Sequence, residues 1–75
     1  MQQQAARCMK ILSDLITKAD AVWQMGLLLQ MKRIGMRYRE ELYKYRSQIE
    51  GLKESPQSGM AEVVQGIINF LEGRR

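Results

Sequence analysis

Side chains that carry catalysis are scarce in this chain. Histidine, the commonest general acid–base group near neutral pH, does not occur among the 75 residues. Cys8 is the only cysteine, so one chain can form no thiol–imidazole pair, no internal disulfide and no His/Cys zinc site. Ser13, Ser47, Ser55 and Ser58 lie outside any nucleophile-elbow or phosphate-loop pattern. The carboxylates mostly neighbour basic residues at helical spacing, as Glu40–Lys44, Arg37–Glu41 and Arg46–Glu50 do, which is the pattern of solvated ion pairs. A carboxylate pair for sugar hydrolysis would also need a cleft, and so short a chain builds little cleft. The expectation is a non-enzyme with no catalytic residue, no cofactor and no metal site. Cys8 reads as a small apolar residue on a buried helix face.

The remaining chemistry is electrostatic. Twelve basic residues face eight acidic ones, a net charge of +4. Lys32, Arg33, Arg37, Arg39, Lys44 and Arg46 stand against only Glu40 and Glu41 in the segment 32–46, which by itself accounts for the whole excess. These six are candidate phosphate contacts, and Tyr38, Tyr43 and Tyr45 are interleaved with them, a mixture suited to nucleic acid. On a continuous helix Lys32, Arg39 and Arg46 fall on one line. Tyr38 and Tyr45 sit on the apolar seam described below, which favours core over base stacking; Tyr43 alone is off it. A helix-turn-helix template centred on Gly26 fails, because it puts Lys32 and Gly35 where buried apolar residues belong.

Apolar residues give the second class of contact. Leu28, Met31, Gly35, Tyr38, Leu42, Tyr45, Ile49 and Leu52 step alternately by three and four, the spacing of a helix pressing one seam on a partner. An upstream set, Cys8, Leu12, Leu15, Ala19, Val22, Gly26 and Leu29, keeps the same rhythm one residue out of register. Trp23, Met25, Leu27 and Leu29, if exposed, would make an apolar contact patch too large for a soluble monomer. The six methionines suit a surface that adapts to a partner, although gap-filling in a core is the plainer use.

The elements that would position these residues are helices. Helix formers fill most positions and β-branched residues are scattered. The one cluster of breakers, Glu54-Ser55-Pro56-Gln57-Ser58-Gly59, predicts a loop at 55–58 and a C-terminal helix over 59–73, capped by Ser58 and stopped by Gly73. Residues 1–54 read as a long helical region, broken between 18 and 27 if the register offset marks a reversal, with Asp20 or the Gly26 stretch as the second start. An unbroken helix to Glu54 would reach roughly 80 Å, too long for so small a monomer to cover. The favoured layout is a first helix over about 3–18, a long central helix to about 54, and the short C-terminal helix. No stretch is apolar enough to cross a bilayer and no secretory signal is evident.

The fold expected is all-α, one domain of two or three helices in a hairpin or small bundle. The function expected is a protein–protein interaction module: an oligomerisation element, small subunit, adaptor or chaperone in the cytoplasm or another soluble intracellular compartment. Its contacts would run along Leu28, Met31, Tyr38, Leu42, Tyr45, Ile49 and Leu52, with a protein partner or a second copy. The rival reading is a nucleic-acid-binding module using segment 32–46.

Overall fold

Helices are the only regular elements among residues 2–73, which the computed structural model describes. They are α1 (Gln2–Lys18), α2 (Ala21–Arg37), α3 (Arg39–Tyr43), α4 (Arg46–Gly51), a 3-10 turn (Leu52–Glu54) and α5 (Met60–Leu71). The longest dimension is 34 Å, so the chain folds back on itself rather than running as one rod.

The first reversal falls at Ala19–Asp20. Asp20 is extended at φ −75° and ψ 174°, and its carboxylate accepts from the Trp23 backbone N–H at 3.1 Å, satisfying one orphan donor of α2. Gln24 Nε2 donates to the Ile16 carbonyl at 3.0 Å and so closes the end of α1. The result is an antiparallel α1–α2 hairpin. The register offset thus marks a reversal, and the capping residue Asp20, not the Gly26 stretch, starts the second helix.

The long central helix expected up to Glu54 does not form. It breaks at Tyr38, whose φ of −126° and ψ of 69° are not helical, and again at Lys44–Tyr45. Gly35 shows why the first bend is tolerated. A Cβ there would sit 2.2 Å from Leu42 Cδ2 and 2.6 Å from Leu42 Cβ. Leu42 occupies the space a side chain at 35 would need, so α3 folds onto α2 over the missing Cβ. The bends let one seam serve a three-dimensional core: Leu28, Met31, Leu42 and Ile49 are fully buried, and α5 adds Met60, Val64, Ile67 and Leu71. α1 contributes Met9 and Ile16.

Polar groups fix the layers. Ser13 of α1 is buried and donates from its hydroxyl to Gln48 Oε1, while Gln48 Nε2 donates to the Ser13 carbonyl at 2.9 Å. Arg39 donates to the Leu71 carbonyl and lies 5.8 Å over the Phe70 ring. Arg46 bonds Glu72 and also pairs with Glu50 at 3.0 Å. The Glu72 hydrogen bond is the main reason the Arg46 guanidinium holds its proton above the usual range, against the desolvation that opposes it. α5 ends at Glu72–Gly73, with Gly73 left-handed at φ 72°, the stop that its position in sequence predicts. Its start departs from expectation: Gly59, at φ 83°, takes the N-cap position in place of Ser58 and makes no side-chain cap. A left-handed backbone here favours glycine over serine.

Candidate partner-binding groove

The two apolar seams have opposite fates. The downstream seam is spent inside the chain. Leu28, Met31, Leu42 and Ile49 are fully buried, Leu52 nearly so, and Tyr38 and Tyr45 are half-buried with Tyr45 packed on the core. The buried ones meet a partner only if the bundle opens, whereas Tyr38 also lines the far end of the groove described next. The upstream seam lies largely outside: Cys8, Leu15, Val22 and Leu29 are exposed and Leu12 and Ala19 half-buried. The burial expected for Cys8 is therefore corrected. α1 turns Met9 and Ile16 inward instead, and those positions are one residue beyond Cys8 and Leu15.

The exposed residues of α1 meet part of α2 across an open groove. At the turn end it is lined by Leu15, Ala19, Trp23 and Leu27, with Lys18 and Asp20 at its margin. Midway it is lined by Cys8, Ile11, Leu12, Gln30 and Ile34. At the far end Cys8, Gln30 and Ile34 continue into Gln4, Ala5, Arg33, Arg37 and Tyr38. On α2 these positions, 23, 27, 30, 34 and 37, alternate steps of four and three. They form a third seam, between the other two, that the sequence reading missed because Gln30 and Arg37 interrupt its apolar character. Exposure is large where it matters: Trp23 69%, Ile11 59% and Leu15 47%.

The expected patch of Trp23, Met25, Leu27 and Leu29 is divided by helix geometry. Residues two apart on a helix point about 200° apart, so they cannot share a face. Trp23 and Leu27 line the groove with α1. Met25 reaches toward the loop before α5, its Cε 3.3 Å from where a Gly59 Cβ would lie, and Leu29 is exposed on the same outer flank as Val22 and Met36.

The basic segment is divided as well. Arg39 and Arg46 clamp the end of α5, and Lys44 pairs with the buried Glu41 at 3.0 Å. The bends also destroy the line that Lys32, Arg39 and Arg46 would share on a straight helix. Lys32, Arg33 and Arg37 are exposed and enter no ion pair among the described residues. Tyr43 is exposed, 53%, as its place off the seam predicts. Among the methionines, Met9, Met31 and Met60 fill the core and Met36 is exposed. Among the described residues no three acidic, cysteine or histidine side chains converge as a cation site would require, and no helix is long and apolar enough to cross a membrane.

No protein-family model matches the chain, and neither a curated protein nor a solved structure matches it.

Proposed function

We propose that this chain is a non-enzymatic protein–protein interaction module, a small subunit, adaptor or chaperone, that works by receiving a partner helix between α1 and α2. The observation that supports this reading is the open apolar groove of Leu15, Trp23, Leu27, Ile11 and Ile34, in a chain whose other seam already closes its own core. Large apolar side chains left in water along two helices gain free energy when a third helix covers them, about 25 cal/mol per Å² of area removed from water, less the cost of association. Aromatic anchors such as Trp23 dominate contacts of this kind.

Nucleic-acid binding has weaker support. Of the six basic residues in segment 32–46, three are held by carboxylates or a carbonyl of the same chain. The three that remain, Lys32, Arg33 and Arg37, span little more than one turn of α2.

The test is site-directed. A photo-crosslinking residue placed at Leu15 in the source cells should trap a partner protein in high yield, and one placed at Tyr43 should not. Trp23→Asp should abolish trapping without lowering the melting temperature. A partner trapped equally from both positions, or retained by Trp23→Asp, refutes the groove as the contact.

A further inference from the structure

The groove has a chemical direction. Its turn end is balanced, with Lys18 and Asp20 on either side of Ala19 at the reversal. Its far end carries Arg33 and Arg37 and no carboxylate in its lining. The two arginines are four apart on α2, one turn above each other, and neither has an ion-pair partner among the described residues. Each guanidinium offers a planar fork that matches a carboxylate.

The charge of the whole hairpin points the same way. Residues 2–37 hold six basic side chains and two acidic ones, a net +4; residues 38–75 hold six of each. Of the four excess charges in segment 32–46, three lie on α2 as Lys32, Arg33 and Arg37. The α1–α2 hairpin is therefore the positive unit of the molecule, and the groove runs along it.

The long helices of a second copy do not match this charge pattern. α1 has three basic residues and one acidic, and α2 has three basic and none acidic. Neither helix offers an acidic end to Arg33 and Arg37. α5 is apolar enough, but its stripe of Met60, Val64, Ile67, Ile68 and Leu71 is buried in the core of its own chain. An added β-strand has no sheet edge to join among the described residues. The groove, from Gln4 to Ala19 along α1, is about 22 Å long at 1.5 Å per residue, the length of a four-turn helix.

Resting on the groove reading above, we propose that its occupant is a separate amphipathic helix of about four turns, with an apolar stripe at i, i+3, i+4 and i+7 spacing and acidic residues at the end that meets Arg33 and Arg37. The apolar stripe covers Trp23, Leu15 and Ile34. The carboxylates pair with the two arginines and set which end of the helix lies over the turn.

Two native reporters make the test direct: Trp23, the only tryptophan, and Cys8, the only cysteine, which is exposed and lines the groove. The probes are three synthetic 16-residue helical peptides, capped at both termini, with one leucine stripe. Near one end they carry a pair of Glu, Gln or Lys at i, i+4. Binding is read by the Trp23 emission shift and by slower alkylation of Cys8 with iodoacetamide. The Glu peptide should bind about fivefold or more tighter than the Gln peptide in low salt, with the Lys peptide weakest and the gap closing as salt rises. R33Q/R37Q should erase the gap between the Glu and Gln peptides. Equal binding of the Glu and Gln peptides would overturn the acidic occupant and leave the groove reading standing. If no peptide shifts Trp23 or protects Cys8, both readings fall. A free chain that dimerises with Cys8 protected, and that W23D returns to monomer, would make the second copy the occupant and overturn the proposal.

Discussion

Gly35→Ala isolates the contact that bends the chain. The added methyl would lie 2.2, 2.6 and 2.8 Å from Leu42 Cδ2, Cβ and Cγ, whereas ordinary contact begins at 3.4 Å. A rotamer change could move Cδ2 and Cγ. It cannot move the Leu42 Cβ, which is fixed by the α3 backbone, so α3 must retreat from α2 by about 0.8 Å, the difference between 3.4 and 2.6 Å. Overpacking of this kind costs about 1–3 kcal/mol, and a contact that requires backbone movement belongs near the top of that range. Replacing glycine in a helix returns about 1 kcal/mol. The net loss is about 2 kcal/mol, a fall of roughly 8–16 °C in melting temperature for a chain of this size. Thermal unfolding followed by circular dichroism measures it. Gly26→Ala and Gly51→Ala are the controls, since a Cβ at either position meets nothing within 4 Å. Both should melt at or above the parent temperature. A Gly35→Ala protein that melts as high as Gly26→Ala would refute the packing of α3 on α2 described above.

Asp20→Ala removes the side-chain cap of α2 and should cost about 1 kcal/mol, or roughly 4–8 °C in the same melt; no change would mean that the reversal does not depend on that cap. Leu28→Ala should cost about 2–5 kcal/mol by urea unfolding, because Leu28 is fully buried, while Trp23→Ser should stay within about 0.5 kcal/mol of the parent. The reverse order would place Trp23 in the core and close the groove. In a mobility-shift titration with duplex DNA, K32Q/R33Q/R37Q should flatten the slope of log affinity against log salt by about 2.7, the value for three free cations, and K44Q should leave it unchanged because Lys44 is paired with Glu41. A slope that K44Q also flattens would show that Lys44 has left Glu41 and reaches phosphate.

The helical class, the turn at 55–58 and the stop at Gly73 were legible because each rests on a local preference: helix formers, a proline in a breaker cluster, a glycine free to turn left-handed. The Asp20 start was legible as a residue type but not as a certainty, since nothing polar flanks it. The bends at Tyr38 and Lys44–Tyr45 were not legible. No proline or turn cluster marks either, and an intact heptad rhythm runs through both. The rhythm reports that Leu42 and Ile49 belong on the inside; it does not report that they reach it by folding back. Gly35 carried a partial signal as a missing side chain on a seam, but the neighbour it admits is Leu42 from seven residues on, not another chain. The inward and outward roles of the two seams could not be read either, because both have the same spacing and similar apolar content. Tertiary burial decided between them, and it gave α1 an inner face, Met9 and Ile16, that belongs to neither seam.

That near-equivalence of faces makes the Ser13–Gln48 pair more than one bond among many. α1 carries apolar residues at 8, 9, 11, 12, 15 and 16, so a turn of the helix by about 100° would replace Ile16 with Leu15 at little hydrophobic cost. Such a turn would carry Ser13 away from Gln48 and strand a half-buried amide that now both donates and accepts there. The pair thus selects one rotational setting of α1 from several of similar apolar energy. With it intact, Leu15 and Ile11 are held on the open side; a chain lacking it would distribute its sticky residues over a family of rotated α1 helices, each presenting a different surface.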